Sequence, residues 1–235
     1  MTELKSFVRA EARTLPVILL LDRSGSMNGE RIDSLNQAIP AMIHDFADES
    51  GISAEIKVAI ISFGGTAAKL ECTLTSASEI DYHPLEANGM TPLGSALKKA
   101  KELIEDRDIV TSRSYRPMVI LVSDGYPNDN WEQPFEEFIS EGRTKKCERW
   151  ALAIGQGCDM HMLQKFIGEG SERLFNAEDA GNIKQFFRLV TMTTVSKLKS
   201  KNPNASISME QVKENVINPS DDDLLSFLSD IVDEA

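Results

Sequence analysis

Asp22, Ser24 and Ser26 alternate along DRSGS (22–26), directly after the apolar run VILLL. One carboxylate and two hydroxyls on a single short loop are hard oxygen donors of the kind a divalent cation takes. Mg²⁺ prefers near-octahedral oxygen ligation and keeps several waters around one or two carboxylates. A second acid, Asp124, ends another apolar run, MVILVSD (118–124), and Thr91 in ANGMTPLG stands just ahead of a helical segment. Three separate stretches therefore supply the donors of one candidate metal site. Taken alone, DRSGS has a plainer reading, because Ser and Asp are favoured N-caps and a helix is expected from Glu30.

Apolar segments rich in β-branched residues alternate with segments of helical period and must position these donors. LPVILLLD (15–22), AEIKVAIISF (54–63), AKLECTL (68–74), MVILVSD (118–124), ERWALAIG (148–155) and RLFNA (173–177) read as strands. Several lack polar alternation, as expected of strands buried on both faces. Helical spacing marks 30–48, 92–107, 131–143, 160–168 and 180–198. Pro40 should bend the first of these or break one of its hydrogen bonds, Pro92 suits a first turn, and Pro134 interrupts the 131–143 segment and offers a start for that helix. Gly64-Gly65 signals a tight turn between the second and third strands. The pattern predicts an α/β, doubly wound (Rossmann-like), mostly parallel sheet with helices on both faces. In such sheets ligands bind at the carboxyl ends of the strands, where Asp22 and Asp124 fall.

The chain has 235 residues, 41% of them hydrophobic, enough for one sizeable core. A formal charge of −12 argues against sequence-independent nucleic-acid binding and against anionic membranes. The N-terminal MTELKSFVRAEARTLPV has no signal-like apolar stretch, and the run 16–21 is too short to span a bilayer. Cys72, Cys147 and Cys158 are widely spaced without a CxxC pair, which suits a reducing compartment and points to a cytoplasmic protein. His44, His83 and His161 are isolated from one another. Trp150 reads as core, whereas Trp131 is a candidate partner-binding residue.

Residues 1–13 read as an extension, 14–198 as the domain, and 199–235 as a linker with an acidic amphipathic tail. From 203 onward eight acids face one base, Lys213. Within NPSDDDLLSFLSDIVDEA, Ser220 is a good N-cap and Leu224, Leu225, Phe227, Leu228, Ile231 and Val232 form an apolar set. Two alternatives stand open for it: packing back on the domain, or docking on a partner or a second copy through Leu224, Phe227, Leu228 and Ile231.

The order and spacing of DRSGS, GMTPLG and LVSDG resemble the von Willebrand factor A (vWA) domain over about residues 14–198. The wording LPVILLLDRSGSM, NGMTPLGSAL and SDGYPNDNW is similar to the TerY-like, tellurite-resistance-associated bacterial branch that includes the YegL proteins. Arg23 and Met90 depart mildly from its pattern, and no Cys/His-rich stretch follows. The resemblance implies a metal-ion-dependent adhesion site (MIDAS). Ser24 and Ser26 would be direct ligands, Thr91 direct or water-bridged, and Asp22 and Asp124 second-sphere or water-bridged carboxylates. It further implies Mg²⁺ (or Mn²⁺ or Ca²⁺) completed by a partner's carboxylate. The partner would be a Ser/Thr kinase or PP2C-type phosphatase in stress signalling.

The resemblance thus implies a non-enzymatic interaction module. Two other functions can be built on such a site. A metal-dependent hydrolase or phosphatase of haloacid-dehalogenase type would need a second acid where Ser24 stands, and no GxSxG, GxxxxGK[ST] or HExxH occurs. An Mg-chelatase-type, ATPase-associated subunit uses the same domain.

Overall fold

The computed structural model describes residues 12–51, 54–168, 173–178, 180–205, 211, 221, 224–226 and 228. Among them, six strands form one sheet: β1 (Arg13–Asp22), β2 (Ala54–Gly64), β3 (Ala67–Ser76), β4 (Met118–Ser123), β5 (Glu148–Ile154) and β6 (Leu174–Ala177). The helices are α1 (Glu30–Glu49), α2 (Leu93–Glu105), α3 (Glu132–Ser140), α4 (Met160–Ile167) and α5 (Ala180–Lys199). The strand order is β3-β2-β1-β4-β5-β6. All neighbours pair parallel except the β2–β3 hairpin.

The chain lays down β1, β2 and β3 toward one edge, then returns to the other side of β1 for β4, β5 and β6. A crevice therefore opens between the carboxyl ends of β1 and β4, the switch point where ligands enter such sheets. The register Leu21↔Val122 brings Asp22 and Ser123 side by side at its floor.

The buried strands divide their side chains between two cores. Val17, Leu19 and Leu21 of β1 face the layer of α1 and α5, with Ile32, Leu35, Ile39, Ile183 and Phe187. Ile18 and Leu20 face the layer of α2, α3 and α4, with Leu97, Phe138 and Phe166. Each large aliphatic side chain so buried contributes roughly 1.5–3 kcal/mol by removal from water. Lys197 and Glu148, both buried, form an ion pair that ties α5 to β5, and Trp150 Nε1 donates to the other Glu148 oxygen at 2.9 Å. Trp150 is core, as its place in a strand predicts.

Local departures from the sequence expectations are small and have physical causes. α1 runs through Pro40, which lies on its exposed face. α3 starts at Glu132 with Pro134 inside its first turn, where a missing N–H costs nothing. It ends at Ser140, not near 143. Pro92 is the N-cap of α2, not a residue of its first turn.

The tail shows the main correction. Leu224 and Leu228 are buried within the α1/α5 core, with Leu225 packed partly against it, and Arg188 of α5 pairs with Asp221. These two leucines therefore cover their own domain instead of facing a partner or second copy. Phe227 and Ile231 lie outside the described residues. So do residues 1–11 of the expected N-terminal extension.

Candidate metal centre

β1 delivers its loop to the crevice and stops because Asp22 turns its carboxylate back onto the chain. Asp22 Oδ1 accepts the Ser24 backbone N–H at 2.8 Å, and Oδ2 accepts the Ser123 hydroxyl at 2.7 Å. The capping alternative for DRSGS is not what the loop does. α1 begins at Glu30 with Gly29 as its N-cap and no side-chain cap, and residues 25–27 form a 3-10 turn in between.

Ser24 and Ser26 converge on the acid that follows β4. Ser26 Oγ lies 2.7 Å from Asp124 Oδ1, Ser24 Oγ lies 3.5 Å from the same oxygen, and the two hydroxyls stand 3.0 Å apart. Ser24 and Asp124 are buried, while Ser26 is exposed at the mouth. Thr91 is buried too, its hydroxyl 3.9 Å from the point a Cβ on Gly125 would occupy. All five sequence-predicted residues thus meet at one end of the sheet.

Backbone knitting carries Thr91 there. Asn88 N–H donates to Arg23 O at 2.7 Å, Gly25 N–H to Gly89 O at 2.9 Å, Gly65 N–H to Asn88 O at 2.7 Å and Met90 N–H to Gly65 O at 3.1 Å. The close approach requires glycine: Gly89 has φ +68°, and a Cβ on it would stand 2.5 Å from Gly65 Cα. On the far side, Asn128 Oδ1 accepts the Thr91 N–H at 2.9 Å. Asp129 accepts the N–H groups of Gly94 and Ser95 at the start of α2, at 3.0 and 2.9 Å.

Arg31, in the first turn of α1, donates from Nη1 to Asp124 Oδ2 at 2.9 Å. Sequence reasoning passed over Arg31, Ser123, Asn128 and Asp129 as site residues. A base in the first turn of a helix, where the dipole disfavours it, was the available signal for Arg31. The Asn-Asp pair in YPNDNW was the signal for the other loop.

The donor set suits a hard divalent cation. Two carboxylates and three hydroxyls surround the crevice, all oxygen. Among the described residues no group of three or more His, Cys, Asp and Glu is placed to hold a metal, so any ion here depends on the hydroxyls. Burial pushes the Asp22 carboxyl up to about 6, opposed by its bonds from Ser123 and Ser24 and reinforced by the nearby Asp124. A dication beside it would favour the ionised form. Cys158 lies beside the site, its thiol donating to Ser123 O at 3.0 Å, but burial raises it to about 11 and makes it a poor nucleophile.

The remaining candidates sit apart. His44, His83 and His161 are exposed, the first two facing Asp48 and Asp81 at 3.9 Å. Trp131 is half-buried, edge-on to Phe135 at 5.5 Å and packed against the α2/α3/α4 core. Met90 and Tyr126, on the loops that carry Thr91 and Asp124, are 53% and 64% exposed.

Among solved structures, the fold is similar to mussel byssus proximal thread matrix protein 1 with a zinc-occupied MIDAS motif. That likeness has a TM-score of 0.60 and 17% identity, and covers 79% of this chain and 48% of that one. It is also similar to the pilus adhesin SpaC of Lactobacillus rhamnosus GG, with a TM-score of 0.61 and 14% identity over 80% of this chain and 31% of that one. In sequence, the chain is 23% identical to mouse inter alpha-trypsin inhibitor, heavy chain 4, over 207 residues. That match covers 81% of this chain and 21% of the mouse protein, so the chain spans about a fifth of that relative's length. The model of the von Willebrand factor type A domain matches residues 17–189. The chain belongs to the von Willebrand factor type A domain family.

Proposed function

We propose that this chain is a non-enzymatic protein-interaction module that grips a partner through a divalent ion at the β1/β4 crevice. One observation carries the reading: the Ser24 and Ser26 hydroxyls converge on Asp124 Oδ1, with Thr91 delivered beside them on a third loop. Ser24, Ser26 and Thr91 would hold the ion, with Asp22 and Asp124 supplying charge around it. When bound, the ion supplies an electrophilic centre that attracts a carboxylate. Asp22 holds the Ser24 backbone in place, and Met90 and Tyr126 give the mouth an apolar rim for a protein surface. Mg²⁺ fits the all-oxygen donors, with Mn²⁺ or Ca²⁺ as alternatives.

The finer reading is a TerY-type role in bacterial stress signalling, with a Ser/Thr kinase or PP2C-type phosphatase as partner. It rests on the wording of LPVILLLDRSGSM, NGMTPLGSAL and SDGYPNDNW. A cytoplasmic location belongs with that reading and rests on the reduced-cysteine pattern; a byssal protein and a pilus adhesin share the fold, so the fold itself carries no compartment. Among the described residues no helix is long and apolar enough to cross a membrane.

Affinity purification of the tagged full chain from its native cell, with Mg²⁺ or with EDTA, tests the reading. A partner retained with Mg²⁺, released by EDTA, and lost in the Ser24→Ala, Ser26→Ala double variant is the expected result. Capture that ignores both the chelator and the double substitution would rule out the metal bridge.

A further inference from the structure

Arg31 is out of place for an ordinary surface arginine. It sits in the first turn of α1, beside Glu30 and Asp33, at the helix end whose dipole favours acids. Its guanidinium nevertheless turns into the crevice. Nη1 donates to Asp124 Oδ2 at 2.9 Å and reaches the Ser26 carbonyl oxygen at 3.5 Å. Nη2 lies over Gly155, 2.7 Å from where a Cβ would stand, so glycine at 155 leaves the space it occupies. The Asp124 side chain is fully buried and the Arg31 side chain 38% exposed.

The two oxygens of Asp124 are thereby divided. Oδ1 faces the Ser24 and Ser26 hydroxyls, and Oδ2 faces Arg31. The charge of the cage follows. Asp22 and Asp124 alone would offer a dication two negative charges. Arg31, permanently protonated, reduces the sum to one. A divalent ion in this cage leaves a net positive charge in a largely buried setting, and serine and threonine hydroxyls do not neutralise it. Uncompensated buried charge is costly, so the complex is completed by an anion from outside.

We infer that Arg31 makes metal and partner carboxylate bind as a coupled pair: it weakens the cage for a divalent ion alone and raises its demand for an external anion. This rests on the metal-bridge reading above. By linkage, the factor by which a carboxylate tightens the metal equals the factor by which the metal tightens the carboxylate. A partner would then be gripped only where ion and acidic side chain are both present. The module would hold little metal while idle.

The test is Mn²⁺ binding to the full chain, read as free Mn²⁺ by electron paramagnetic resonance, at constant ionic strength with chloride or acetate as the anion. Wild type, Arg31→Gln and Arg31→Lys are compared. R31Q should bind Mn²⁺ in chloride about tenfold or more tightly than wild type, since one adjacent positive charge is gone. R31K keeps the charge without the fork and should stay near wild type. Acetate should tighten wild type several-fold more than it tightens R31Q. R31Q binding Mn²⁺ no more tightly than wild type would overturn the inference while leaving the metal site standing, for Arg31 would then only hold Asp124 in position. Wild type and R31Q both failing to bind Mn²⁺ would overturn the metal bridge itself, and the inference with it.

Discussion

Ser123 Oγ donates to Asp22 Oδ2 at 2.7 Å across the junction of β1 and β4, so the last residue of one strand clamps the last residue of the other. Asp22 spends its second oxygen on the Ser24 N–H at 2.8 Å. Both oxygens therefore serve the chain's own donors. This makes Asp22 an organiser of the loop that presents the serines, and it leaves the hydroxyls to meet the ion.

Burial of Asp22 at that junction, only partly offset by the clamp, sets a pH dependence in the metal-free protein. The Asp22 carboxyl is raised from 3.8 to about 6 in the fold, mainly by burial. A raised acid binds its proton more tightly folded than unfolded. Its stabilising contribution is present in full below about 3.8 and is lost as pH rises through about 6. Chelated protein should thus gain stability from this group between pH 7 and pH 4, on the order of 3 kcal/mol for complete protonation. Urea unfolding across that range checks it, with Asp22→Asn as the reference that should lose this component. An identical pH profile in both proteins would assign the dependence elsewhere.

A divalent ion that binds only the folded chain must stabilise it. At a hundred times its dissociation constant, Mg²⁺ or Mn²⁺ should add about 2.7 kcal/mol. For a domain of this size that raises the melting temperature by roughly 5–10 °C. The gain should vanish in Ser24→Ala with Ser26→Ala and shrink in Thr91→Ala. Calorimetric melts with metal and with EDTA measure it directly.

Gly89 is the narrowest point in the loop that carries Thr91. Gly89→Ala forces a Cβ toward Gly65 Cα at a positive φ. It should cost about 1–3 kcal/mol of stability through backbone strain and weaken Mn²⁺ binding by moving Thr91. Stability and metal affinity measured together decide the matter. Intact affinity in a destabilised variant would mean that Thr91 holds its place without this bridge.

Leu224 and Leu228 are core residues, so their loss should act on stability before it acts on binding. Leu224→Ala or Leu228→Ala is expected to cost about 2–5 kcal/mol in urea unfolding. Wild-type stability with weakened self-association or partner capture would restore the docking role considered for the tail.

The sequence made the strand-end acids, the Ser-x-Ser pair and Thr91 legible because each is local. An apolar run ending in Asp, or a threonine ahead of a helix, needs no knowledge of distant contacts. The hairpin at Gly64-Gly65 was legible for the same reason. Arg31 was legible only as a base misplaced in a helix's first turn; its partner Asp124 lies 93 residues away, and the sequence does not name it. Ser123 and Asn128 are similar: their roles arise only when β1 lies beside β4 and the 88–91 loop folds over both. The tail's apolar stripe was visible, but amphipathicity does not say which surface covers it. The α1/α5 core covers Leu224 and Leu228.

The most direct measurement is a Mn²⁺ titration of the full chain followed by electron paramagnetic resonance, set against the Ser24→Ala, Ser26→Ala double variant. One ion bound per wild-type chain, and none by the folded double variant, is the outcome that the convergence on Asp124 predicts. Equal binding by both proteins, or by neither, would contradict it.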